Sequence, residues 1–176
     1  MKLIPNWTSY KLKNDYTTKV KIIKSGNELT VFVNEQPLVG HKDFIQEGNL
    51  QIILHVWGNQ PEHIVMLHSI RFWNLDEPDV LNSILAQVKN SDPTFQDDFD
   101  IFSPQPYWED LLENQTILPK QNGWEIFGDN YFAHEMLLGN EFVIEYEYVP
   151  QNYDANIFIN TCLLGDNPDF NFTFSL

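Results

Sequence analysis

Lys19-Val20-Lys21-Ile22-Ile23-Lys24-Ser25-Gly26-Asn27-Glu28-Leu29-Thr30-Val31-Phe32-Val33 is the stretch that decides the fold class. Two β-branched runs flank a central Gly-Asn pair, which is the pattern of an antiparallel hairpin. Asn34-Glu35-Gln36-Pro37 then reads as a turn. Farther along, Leu50-Gln51-Ile52-Ile53-Leu54-His55-Val56-Trp57 predicts a third strand with Leu50, Ile52, Leu54 and Val56 on one face. Residues 62–73 place Ile64, Met66, His68, Ile70 and Phe72 on one side and Val65, Leu67, Ser69, Arg71 and Trp73 on the other. Two largely apolar faces predict a central strand covered on both sides.

A helix is expected next. Asp76 is its capping candidate, Pro78 and Asp79 suit a first turn, and Val80, Ile84 and Val88 with Leu81 and Leu85 form an apolar stripe. Residues 90–106 read as an acidic, proline-containing loop. Residues 106–114 read as a second short helix that docks Trp108, Leu111 and Leu112 and leaves Glu109, Asp110 and Glu113 in water. Strand patterns return over 124–127, 131–136, 141–149, 156–164 and 169–176. Strands, then helices, then strands, with short connections, predict an α+β fold of mostly antiparallel sheet. At 176 residues the chain is expected to form one domain, 1–176, with 1–90 and 107–176 as candidate halves joined by 90–106. A chain of that length buries roughly 70% of its unfolded surface and needs no staple.

The charge is lopsided. Of 10 basic residues, 7 lie in the first 42 positions; from position 43 onward 22 acids face three bases, Arg71, Lys89 and Lys120. The formal net charge is −15, and such an imbalance opposes compactness by self-repulsion. Duplex binding rests on Lys and Arg against phosphates, so direct nucleic-acid binding is disfavoured. The N-terminal lysines Lys11, Lys13, Lys19, Lys21 and Lys24, interleaved with Tyr10 and Tyr16, form a basic stripe, protect an edge strand, or pair with the acidic remainder.

Catalytic signatures are missing. His41, His55, His63, His68 and His134 have no ligand spacing, so no metal site is expected, and His68 reads as a core histidine. Cys162 is the only cysteine and has no base near it in sequence, which favours a structural thiol. No glycine-rich phosphate loop occurs, and no cofactor is expected. Asp97-Asp98-Phe99-Asp100 clusters carboxylates without the spacing of a calcium loop. Glu145 and Glu147 share a strand face, with carboxyl spacing compatible with glycosidase chemistry; a carbohydrate-active enzyme or sugar-binding module is the alternative they support.

The acidic zone remains. Residues 90–119 hold seven acids and no base, beside Phe95, Phe99, Phe102, Tyr107 and Trp108. Acids speed encounter with a cationic partner, and aromatics supply desolvated contact. The candidate partner-binding residues are therefore Asp97, Asp98, Asp100, Tyr107, Trp108, Glu109, Asp110 and Glu113. No apolar stretch of signal-peptide or membrane-span length is found, so a cytoplasmic, non-membrane protein is expected.

In size, acidity and lack of a catalytic motif the chain resembles the bacterial immunity proteins of contact-dependent growth-inhibition and other polymorphic toxin systems. The resemblance implies a non-enzymatic inhibitor whose partner is a basic toxin domain, a nuclease above all. Immunity families differ in fold, so it carries over no residue roles. A DNA mimic that occupies a DNA-binding protein would follow the same electrostatic logic.

Overall fold

The computed structural model describes residues 16–41, 50–57, 63–100, 108–110, 117–128, 130–151, 156–163 and 172–174. In chain order these form β1 (Thr18–Ser25), β2 (Glu28–Val33), β3 (Gln36–His41), β4 (Leu50–Trp57), β5 (Ile64–Asn74), α1 (Leu81–Asn90), β6 (Phe95–Asp97), β7 (Trp108–Asp110), β8 (Ile117–Lys120), β9 (Gly123–Phe127), β10 (Asn130–Leu138), β11 (Phe142–Pro150), β12 (Asn156–Leu163) and β13 (Phe172–Phe174). Thirteen strands against one ten-residue helix make the described part β-rich, which corrects the expected α+β balance.

An eight-stranded sheet runs β3-β2-β1-β11-β5-β9-β8, with β6 also on β5; a five-stranded sheet runs β13-β12-β4-β10-β7. Every ladder between these strands is antiparallel. One apolar cluster joins Val20, Leu67, Phe72, Trp124 and Tyr146 of the larger sheet to Ile52, Trp108, Phe132 and Leu138 of the smaller. The two sheets thus share a core, the layering of a β-sandwich. β11 lies between β1 and β5, so strands from the two candidate sequence halves alternate within one sheet.

The hairpins follow from their turns. Gly26, at φ +54, is the first central residue of the turn closing β1 on β2, where glycine meets no steric cost. Asn34 (φ +48) and Glu35 (φ +68) close β2 on β3, so the expected turn is only two residues long and Gln36 begins a strand.

β5 is a central strand, but its faces change along its length. Ser69 pairs with Glu147 and Leu67 with Tyr148, which leaves His68 as the extra residue of a bulge. The core therefore receives Val65 and Leu67 before the bulge and Ile70 and Phe72 after it, in place of one alternating set. His68 does not enter that core; its Nδ1 meets the Asn122 carbonyl at 2.5 Å. Gly123 fits beside the bulge because it has no side chain: a Cβ there would stand 2.4 Å from the Leu67 oxygen.

The outer face of the large sheet is divided. One end is covered by α1, whose buried Ile84 and Val88 pack on Ile23, Trp73 and Val143. The helix starts at Leu81 with Val80 as N-cap, not at the expected Asp76, and Val80 is 71% exposed instead of joining the stripe. Two further segments depart from expectation. Residues 108–110 are a strand paired with His134, Ala133 and Phe132, so tertiary pairing overrides the helical pattern read there. Phe95–Asp97, read as loop, extends the edge of β5 beyond β9.

Candidate functional site

The acids expected to face a partner separate once folded. Asp97 points inward: its Oδ1 accepts the Phe99 N–H at 2.8 Å and its Oδ2 accepts the Trp108 indole N–H at 3.1 Å. Holding its own backbone two residues on is a turn device of Asp, and here it sets Phe99 at φ +49 with its ring fully buried. Phe99 meets Trp124 at 4.7 Å and Trp108 at 5.8 Å between ring centres, and His134 lies 4.6 Å from Trp108 and 4.3 Å from Phe95. Asp97, Phe99 and Trp108 are thus core, and neither Asp97 (6% exposed) nor Trp108 (8%) offers a partner much surface. That departs from the contact role expected for both.

Asp98 does face water, where it holds Gln96 and, at 3.5 Å, Arg71. Asp100 is half-buried and bridges to Lys120 through the backbone. Glu109 and Asp110 lie in β7 and are described as backbone only; Tyr107 and Glu113, like Lys11 and Lys13, lie outside the described residues. No group of three His, Cys, Asp or Glu among the described residues is placed to hold a metal ion, and the Asp97–Asp98 carboxylates diverge.

Apart from Lys89 on α1, the described basic residues are spent on the sheet. Lys21 Nζ lies 2.9 Å from Glu145, and Lys19 Nζ lies 3.5 Å from Glu147, across the directly paired β1 and β11. Arg71 stands opposite Glu145 on the other side, so positive, negative and positive residues alternate across three strands. Glu145 and Glu147, the pair read as compatible with glycosidase chemistry, therefore carry charge pairing with Lys21 and Lys19 on the sheet face. Lys120 pairs with Glu125 at 3.1 Å. β1 is an interior strand, so its lysines guard no edge.

Lys24 is buried and donates from Nζ to the carbonyls of Gly26 and, at 3.0 Å, Asn140. Burial lowers its pKa, and Glu141 partly offsets this by Coulomb attraction. Glu141 Oε2 in turn accepts the Gly26 N–H at 2.7 Å, which ties the first hairpin tip to the β10–β11 turn.

On the opposite side that tip meets α1. Ser25 Oγ donates to the Asp79 carbonyl and accepts the Asp79 N–H, both at 3.0 Å. Between tip and helix lies a cleft of about 480 Å³ with Ile23, Leu81 and Ile84 among its apolar lining and Glu28, Thr30 and Asp79 among its polar residues. Asp79 Oδ1 accepts the Val80 N–H at 2.7 Å, and Oδ2 accepts from Ser83 and Gln87. The Ser83 and Val80 bonds hold its carboxyl below the ordinary range, so it stays ionised. Asp76 and Glu77 lie exposed in the same connection.

The sequence offered Asp76-Glu77-Pro78-Asp79 only as helix-start chemistry. That Ser25 and Glu28 pack beside it depends on a contact between positions more than fifty residues apart, which no local pattern encodes.

No family model matches the chain, and none of the curated proteins compared with it matches either. No helix among the described residues is long and apolar enough to cross a membrane.

Proposed function

We infer that the protein is a non-catalytic, acidic binding protein whose partner is a positively charged protein. The partner that best fits this chemistry is a toxin nuclease domain, neutralised stoichiometrically in the cytoplasm by an immunity-type inhibitor. One observation carries the reading. Of the six described basic side chains, Lys19, Lys21, Arg71 and Lys120 pair with acids, Lys24 is buried on backbone carbonyls, and Lys89 alone is exposed outside an ion pair, while the five acids Glu35, Asp76, Glu77, Asp79 and Asp92 are exposed and make no ion pair among the described residues. The exposed field is therefore negative, in a chain of net charge −15. Such a field raises encounter rates with a cationic surface by about 10–10³-fold at low salt.

Inhibition would follow from covering the basic cleft in which a nuclease holds phosphates. A stable complex of this kind buries about 1,200–2,000 Å² in total. The test is a titration of a basic nuclease domain encoded beside this protein's gene. Complete loss of nuclease activity at one equivalent, with an association rate that falls steeply with salt, is the expected result. Full activity at excess protein, with no complex at low salt, would sink the reading.

A further inference from the structure

We propose that the cleft between the β1–β2 hairpin tip and the first turn of α1 receives a basic side chain, arginine or lysine, presented by a partner protein. The inference rests on the reading above and assigns the surface that performs it.

Three properties of the cleft select this occupant. Its floor, Ile23, Leu81 and Ile84, is apolar, and Arg and Lys carry methylene stems that cover apolar surface while their charged ends stay near polar groups. Its charged lining among the described residues is of one sign: Glu28 and Asp79 line it, and no described Lys, Arg or His does. The nearest described base, Lys24, turns its Nζ to the Gly26 and Asn140 carbonyls beside Glu141.

An anion is the occupant a helix N-terminus ordinarily attracts. Here the Asp79 carboxylate already takes the Val80 N–H, so an incoming anion would meet a fixed negative charge. A small free cation would leave Val80 in water at 71% exposure, with Asp76 and Glu77 outside the cleft. A protein surface that inserts one basic side chain and covers Val80 uses all of these features. Both walls are already tied down, through Ser25–Asp79 and Gly26–Glu141, so little ordering is needed on binding.

A fluorophore-labelled, end-capped hexa-arginine peptide is the probe, followed by anisotropy at low salt, with hexa-citrulline as its neutral control. Expected is saturable one-to-one binding of hexa-arginine alone. It should weaken roughly tenfold in Glu28→Gln/Asp79→Asn and in the charge-preserving, cleft-filling Thr30→Trp, but less than about twofold in Glu35→Gln/Asp92→Asn. Circular dichroism and melting confirm that each variant folds. Equal weakening by the two charge-removing pairs, with Thr30→Trp unaffected, overturns the cleft and leaves a diffuse acidic surface. Absence of any hexa-arginine binding overturns the cleft and the acidic-binder reading together.

Discussion

Trp108 donates its indole N–H to Asp97 at 3.1 Å inside the core shared by the two sheets. The contact joins β6, on the edge of β5 in one sheet, to β7, on the edge of β10 in the other. A carboxylate that belonged by composition to an acidic surface is therefore a fastening between layers.

Asp97→Ala should destabilise the protein strongly. It leaves the Phe99 amide and the Trp108 indole unpaired in the interior, at about 1–3 kcal/mol for each buried orphan. Asp98→Ala, one residue away but exposed, should cost no more than about 1 kcal/mol. Urea midpoints of the two variants measure the difference. Equal midpoints would show that Asp97 does not hold the layers together.

Gly123→Ala is expected to cost roughly 2–4 kcal/mol, because φ +144 strains any side chain and the new Cβ would collide with the Leu67 carbonyl. Gly40→Ala is the control: no atom lies within 4 Å of a Cβ there, and the loss of unfolded-state freedom makes it neutral or slightly stabilising. Thermal melts of both variants decide whether the bulge at His68 needs this close approach.

Stability should fall steeply in alkali. Burial raises the pKa of both Tyr146 and Tyr148 above the ordinary value of 10.0; Tyr148 adds to the rise at Tyr146. The folded state thus keeps two phenolic protons that the unfolded chain releases above pH 10.0, and it loses stability as pH rises from there. Two such groups give a slope of roughly 2.7 kcal/mol per pH unit. Lys24 acts with the opposite sign just below 10.5, where the unfolded chain holds the proton that the folded one sheds. Urea titrations across this range, with tyrosinate absorbance of the native protein, measure the effect; a flat profile would contradict it. Tyr146→Phe should also stabilise at neutral pH by about 1 kcal/mol, because the Tyr146 hydroxyl is buried without a hydrogen-bond partner among the described residues.

Local chemistry made the strands legible. The Ser25-Gly26-Asn27 turn, the alternation of Leu50–Trp57 and the alternation of glutamates with aromatics over 141–149 all carry their assignment in the residues themselves. What failed was longer in range. A one-residue bulge at His68 exchanges the faces of β5, and alternation cannot report it without knowledge of the partner strand. Trp108–Asp110 pairs as strand because β10 lies beside it, against a pattern that suits a helix. The acids misled for a related reason. Composition counts Asp97 and Asp98 alike, yet one turns to Trp108 and the other to Arg71. The lysine–glutamate alternation across β1 and β11 was hidden too, since its members lie more than a hundred residues apart.

The insertion of β11 between β1 and β5 governs how this protein is made. As the chain leaves the ribosome, β1 and β5 each present an unpaired flank until residues 142–150 emerge. Non-local pairing of this kind is slow to form and leaves sticky edges open in the meantime. The nascent polypeptide therefore has to stay soluble after β1 and β5 have emerged and before the strand that lies between them arrives. Repulsion among its carboxylates, which weakens the finished fold, protects the unfinished one.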